Sequence, residues 1–365
     1  MASHVNTPPH KQGATRGRAL CDLENTLGKD KMAEFGITEP LNWRFRDFND
    51  IDLPPCNHPL LAYTPGSTGP FWHAPAPGVM KFRQAFDLGL RLASYLLDTD
   101  EVLSFYTKAS EGNFITTGTG ANRRVHVEDV NMTPQLIKRT KDYIKSRLFM
   151  QRLHFSMEGH NEHFTRFGQV LKDTGNLAAT GSIKKNLEMW EATTFKVGIA
   201  FHPDYAAYAA KYHPLIAGQS LATRSEHLRI NFDFAVVLLH EICHIFEYIR
   251  SPFANNRPAD DFSDLGSIHM DQLKKSDEWG DGFEQTLFGG YHAPGKSTDI
   301  RLPKDGLCLL RELTDGDFIV QIVPMDRLQY WFSLKHLKER FEEGKEWPDE
   351  VDPMIMMYSP TLGRF

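Results

Sequence analysis

Cysteine, uninterrupted apolar sequence and excess positive charge are all scarce in this 365-residue chain. Only four cysteines occur, Cys21, Cys56, Cys243 and Cys308, widely spaced and with no CxxC pair. That argues against a disulfide scaffold or an all-cysteine zinc ribbon and makes a reducing compartment the default. No stretch approaches the ~18 uninterrupted apolar residues of a membrane span. The opening segment, MASHVNTPPHKQGATRGRAL, lacks the apolar h-region of a secretory signal. Lys and Arg number 41 against 47 Asp and Glu, a net charge of −6, which offers no electrostatic footprint for nucleic acid or anionic lipid. The expectation is a cytoplasmic protein with neither a nucleic-acid nor a membrane partner. Hydrophobic residues at 41% permit a sizeable core, and 16 histidines prompt a search for a metal site.

Residues 1–20 are polar and basic and read as a disordered tail. Seven prolines fall within residues 51–80 (Pro54, Pro55, Pro59, Pro65, Pro70, Pro75, Pro77), which excludes helix or central strand there. Residues 21–78 are therefore expected to form an extended arm, with Phe71 and Trp72 to bury. The remainder, 79–365, is expected to be one catalytic domain: a helical half over 79–190, a metal-site half over 191–300, and a hairpin and helix over 301–365. Apolar periodicity predicts helices from Val79 to Leu97 and after Asp98. Thr133-Pro134, an N-cap followed by proline at the first helical position, predicts a long helix running to Leu153. Thr194–Phe201 reads as a strand, followed by an alanine-rich helix after Pro203. His227–Phe232 (HLRINF) reads as a second short strand. Leu307–Leu313 and Phe318–Val323 predict a hairpin, and Met325–Glu343 a helix stopped by Gly344.

The chemistry concentrates in Phe232–Arg250, FDFAVVLLHEICHIFEYIR. At 3.6 residues per turn, His240, His244 and Glu247 fall within about 40° of Asp233. A polar stripe on an otherwise apolar helix needs partners, because each unpaired buried polar group costs about 1–3 kcal/mol. His240-Glu241-Ile242-Cys243-His244 is an HExxH motif: two imidazoles one turn apart can share a divalent ion, with Glu241 beside its water. Cys243 points about 100° away from His244 and reads as core. The third ligand is sought among Glu284, Glu278 and Glu247. Glu247 lies too far along the axis of a straight helix and reads as an orienting group. Glu284, in DEWGDGFEQTLFGG, opens a predicted short helix, although Asp281-x-x-Glu284 also spells a capping box. The histidines of LHFSMEGHNEHF (His154, His160, His163) read as surface or cleft-wall residues. Tyr291 and His292, just after the glutamate helix, are the candidate oxyanion donors.

The HExxH helix followed by Glu278-x-Gly280-x-x-x-Glu284-x-x-x-Phe288-Gly289-Gly290 resembles a group of fungal zincin-like proteins, within the HExxH metallopeptidase superfamily of gluzincin type. These motifs and the span between them cover about a fifth of the chain. The resemblance implies an α+β, mainly helical, zincin-like fold with an HExxH active-site helix and a small edge sheet. It also implies Glu284 as third ligand to one Zn²⁺ per chain, beside His240 and His244. The downstream motif departs from the usual NExxxD pattern.

The expected function is a zinc-dependent hydrolase of metallopeptidase type, with Glu241 as general base and a peptide or amide-containing small molecule as substrate. Two alternatives keep the scaffold: a non-proteolytic tailoring enzyme using the same ion, and a degenerate zincin with no catalysis.

Overall fold

The structure, a computed structural model, describes residues 25–38, 51–62, 76–112, 114–117, 124–127, 129–156, 168–172, 197–201, 203–212, 221–250, 268–269, 279–294, 307–312, 318–345 and 354–358. The expected disordered tail, Phe71, Trp72, His160, His163 and Glu278 lie outside these residues. Helices dominate, accompanied by three small sheets.

One helix organises the rest. Leu221–Arg250 contains neither glycine nor proline and runs unbroken for 30 residues, about 45 Å. We call it α8, and the elements before it are α1 (Lys29–Glu34), α2 (Ala76–Ala85), α3 (Asp87–Leu96), α4 (Asp100–Glu111), β1 (Phe114–Thr117), β2 (Arg124–Val127), α5 (Pro134–Ile144), α6 (Arg147–Arg152), β3 (Leu153–Ser156), β4 (Gly168–Lys172), β5 (Val197–Phe201) and α7 (Pro203–Lys211). After it come β6 (Ile268–His269), α9 (Trp279–Phe288), β7 (Tyr291–Pro294), β8 (Leu307–Glu312), β9 (Phe318–Ile322), α10 (Met325–Tyr330), α11 (Leu334–Phe341) and β10 (Met354–Tyr358).

From Leu228 to Leu239 every residue of α8 is buried, the signature of a helix enclosed on all sides. It packs against α3, α4 and α9, with α10, β4, β5 and β7 also in contact. This overturns the expected strand at His227–Phe232. The polar residues that gave HLRINF its alternation are used in helix packing instead. Asn231 accepts a bond from the Gly89 N–H (2.8 Å) and donates to the Ala85 carbonyl (3.1 Å) and to the His227 carbonyl one turn back (3.0 Å). Buried Arg229 donates to the Thr38 carbonyl at 2.7 Å. The approach of α3 is close enough that a Cβ on Gly89 would stand 2.5 Å from the Asn231 carbonyl oxygen.

The segment 51–62 is irregular, as its prolines dictate, and wraps across α3. Leu53, Leu60 and Leu61 are buried, the Asn57 and His58 amides both donate to Ser94 Oγ, and Arg91 Nε donates to the Pro54 carbonyl. Two features of the expected arm differ. Residues 29–34 are helical, and α2 already starts at Ala76, where Pro77 is tolerated in the first turn. The arm also shares one continuous hydrophobic cluster with the rest of the fold, from Ile51 to Leu337.

Thr133 caps α5, its Oγ1 accepting from the Leu136 N–H at 3.2 Å. That helix stops at Ile144 rather than running to Leu153, because Ser146 turns extended and caps a separate α6. The final helix is likewise two pieces, broken at Trp331–Ser333; the second ends at Phe341, short of Glu343, and Gly344 follows at φ +65°. The hairpin forms as read: β8 and β9 pair antiparallel, Leu310 opposite Val320, inside the four-stranded order β10-β9-β8-β7. The other sheets are β1-β2-β6 and β3-β5-β4.

Candidate metal centre

The HExxH motif lies in the second half of α8, as the apolar periodicity requires. Glu241 is buried, and the side chain of His240 is 12% exposed. Cys243 is fully buried in the core. His244 follows one turn after His240 along the backbone; its side chain, like that of Glu247, lies outside the described residues.

Facing His240 is α9. It begins by Trp279, so Asp281 and Glu284 both sit inside the helix, and the capping-box reading of Glu284 falls away: a box needs its first residue at the N-cap. Glu284 is buried and its Oε1 stands 2.6 Å from His240 Nδ1. Two donors on one tetrahedral zinc, each about 2.0–2.1 Å from it, are roughly 3.3 Å apart. The observed separation is that of a hydrogen bond, in which an ionised carboxylate can only be the acceptor.

One turn before Glu284 on the same face, Gly280 lies against the imidazole. A Cβ there would meet Nε2 at 2.2 Å, Cε1 at 2.3 Å and Cδ2 at 2.4 Å. Nearly equal distances to Nε2 and both carbons bonded to it place that Cβ over the ring face, not along the Nε2 lone pair. The position of α9 is set by aromatic packing. Phe283 stacks on Tyr106 (5.6 Å between centroids), and Tyr106 donates to the Leu239 carbonyl at 2.9 Å, one residue before the motif.

A third element, α7, contributes Tyr205, which the sequence reading missed. Its hydroxyl donates to Asp233 Oδ2, and both groups are completely buried. Burial pushes the Asp233 carboxyl well above the usual carboxylate range, against the Tyr205 hydrogen bond and aided by the nearby charge of Glu284. Burial also raises the Tyr205 phenol, helped by Asp233, Glu241 and Glu284. Asp233 is thus pushed towards its uncharged form, and the carboxyl groups of Glu241 and Glu284 share its neighbourhood. The α7 sequence PDYAAYAAK held one usable hint, a hydroxylated aromatic among alanines that would need a polar partner once buried.

Tyr291 and His292 occupy β7, opposite Leu310 and Leu309 on β8. That strand follows α9 directly through Gly289, at φ +85°, and contacts both α8 and α9. Their backbone thus runs beside α8 and α9, while their side chains are outside the described residues. His154 lies on β3, away from the HExxH stripe in the chain order, with its side chain likewise outside them. Among the described residues no group of three or more His, Cys, Asp or Glu is arranged to hold an ion. The described constellation is His240 with Glu284, flanked by Glu241 and the hydrogen-bonded Asp233–Tyr205 pair.

Compared with protein-family models, with curated proteins and with solved structures, the chain has no match. No helix among the described residues is long and apolar enough to cross a membrane.

Proposed function

We propose that this chain is a zinc-dependent hydrolase of metallopeptidase type, acting on a peptide or an amide-containing small molecule. The observation that carries the reading is the 2.6 Å contact between the first histidine of the HExxH motif and a buried glutamate from a second helix. A buried imidazole gripped by a carboxylate is the arrangement that prepares a histidine for metal ligation. The imidazoles of His240 and His244 fit a borderline ion such as Zn²⁺, and the carboxylate of Glu284, expected from the sequence as the third ligand, stands at the Nδ1 edge of His240. A bound divalent ion would supply an acidified water and a Lewis acid for a carbonyl. Glu241, next to His240 and buried, is the base that takes the proton of the attacking water and returns it to the leaving amine. Tyr291 and His292, on the strand that follows α9, are the donors proposed for the developing oxyanion.

Metal analysis of chelator-free protein tests the reading, followed by turnover of a mixed peptide library. About one zinc per chain is expected, lost in a His240→Ala/His244→Ala double variant. Glu241→Gln should keep the ion and lose turnover by about 10²–10⁴-fold. Absence of zinc in the wild type, or near-normal turnover in Glu241→Gln, would defeat it. Bound zinc with no peptide cleaved would shift the reading to a tailoring reaction at the same centre.

A further inference from the structure

We infer that Gly280 and Glu284 act together as a positioning jaw for His240, so that Glu284 serves the site by holding the imidazole and not as an ion ligand. The inference rests on the metal reading only for what Nε2 goes on to bind; the seating of the ring stands apart from it.

Three observations carry it. Gly280 and Glu284 are four residues apart on α9, hence on one face, and that face meets His240. Glu284 takes one end of the ring, with Oε1 at 2.6 Å from Nδ1. Gly280 takes the flat of the ring, and any side chain there would enter the imidazole at 2.2–2.4 Å. The carboxylate, an acceptor when ionised, requires the proton on Nδ1 and so leaves Nε2 as the unprotonated nitrogen. Ring plane and tautomer are both fixed from α9.

The geometry separates holding from ligating. The two ring nitrogens of an imidazole diverge, so a carboxylate bonded at Nδ1 is on the far side of the ring from an ion at Nε2. A helical position one turn before a functional glutamate would otherwise favour alanine over glycine, by about 1 kcal/mol. Glycine there follows from the ring it must admit. The jaw itself is rigid: Phe283, between its two members, packs edge-on against Phe105 and stacked against Tyr106, while Phe288 packs against Trp331 and Phe232.

The test uses the full chain, labelled with ¹⁵N-histidine and stripped of metal by a chelator, with His240 assigned by comparison with His240→Gln. Long-range ¹H–¹⁵N spectra should show the neutral His240 ring protonated at Nδ1. Zn²⁺ affinity is then measured by competition with a chromophoric chelator. Gly280→Ala and Glu284→Ala should each weaken zinc about 10–100-fold, the range seen when the partner behind a liganding histidine is lost. Glu284→Gln keeps a carbonyl oxygen able to accept from Nδ1–H, so it should stay within about tenfold of wild type. As an ion ligand Glu284 would show the opposite, Gln and Ala being equally damaging.

An Nε2-protonated ring in the wild type, an unchanged His240 signal in Gly280→Ala, or equal losses in Glu284→Gln and Glu284→Ala would overturn the inference. Should Gly280→Ala fail to fold by circular dichroism, the wild-type tautomer and the Gln–Ala comparison still decide it. Should the wild type bind no zinc, the metal reading fails, and the tautomer alone decides the jaw.

Discussion

His227 offers a measurement in which the sign and size of an electrostatic effect both follow from the fold. Its ring is 3% exposed, stacks on Tyr212 with centroids 5.2 Å apart, and has Nδ1 2.7 Å from the Tyr208 hydroxyl. Burial pulls its pKa down to about 4, against about 6.5 in an unfolded chain. Below pH 6.5 the unfolded state binds a proton that the folded state refuses, so stability is full above pH 6.5 and is lost as pH falls towards 4. At 1.36 kcal/mol per unit, the loss is about 3 kcal/mol over that window, of which about 2 kcal/mol falls between pH 6.5 and 5. Asp233 runs the other way. Its raised folded pKa means that the folded state holds a proton the unfolded state has given up, so the wild-type curve alone is ambiguous. The decisive quantity is therefore the difference between wild type and His227→Gln, in which Asp233 cancels. Urea unfolding followed by circular dichroism at pH 7.5, 6.5, 5.75 and 5 would give it. The variant should be the less stable protein at pH 7.5, and its deficit should shrink by about 2 kcal/mol by pH 5. A deficit that stays constant with pH would refute the claim that His227 is held neutral by the fold. His58 repeats the experiment independently. It is 2% exposed and also lowered to about 4, by burial, with Asp98 opposing and Lys145 and Lys141 assisting.

Two further predictions concern the scaffold. Gly89→Ala should cost about 1–3 kcal/mol in urea unfolding, because its Cβ meets main chain, the Asn231 carbonyl, at 2.5 Å; a change below about 0.5 kcal/mol would show that α3 can retreat from α8. Thr133→Ala should cost about 1 kcal/mol in urea unfolding through loss of the α5 cap; an unchanged stability would show that the Thr133 Oγ1 bond is dispensable.

What could be read from the sequence was what local rules decide. Thr133-Pro134 marks a helix start whatever surrounds it, and the β8–β9 hairpin follows from two β-prone runs joined by Thr-Asp-Gly-Asp. The HExxH helix was legible because an apolar run with one polar stripe has few other solutions. Long-range contacts decided the rest. Asn231 and Arg229 gave His227–Phe232 the look of a strand, yet their partners are Ala85, Gly89 and Thr38, about 140 or more residues away. Glu284 was found, but its place within α9 was not, since Asp281 and Glu284 have cap spacing and only the helix start at Trp279 removes that role. Gly280 was visible as a motif letter with no physical role attached, because the ring it admits comes from another helix. Tyr205 gave almost no signal at all: nothing in α7 says that the acceptor for its hydroxyl is Asp233.

The polar stripe on α8 shows how a core can hold so many carboxyl groups. Asp233, Glu241 and Glu284 are all buried, and three ionised carboxylates in one low-dielectric region would repel at a cost no packing could offset. Each has a different relief. Burial pushes Asp233 towards its uncharged form, and it is tied to Tyr205. Glu284 is bonded to the Nδ1–H of His240, which gives its charge a donor without any need for a further counter-ion. Glu241 is adjacent to His240 in sequence and so points about 100° away from that contact, out of reach of the same donor. In the function proposed above Glu241 is the base, and taking up a proton removes the charge that burial disfavours. On this partition Asp233 and Glu284 are supports, and Glu241 is the group to which the proposed function gives the proton transfer.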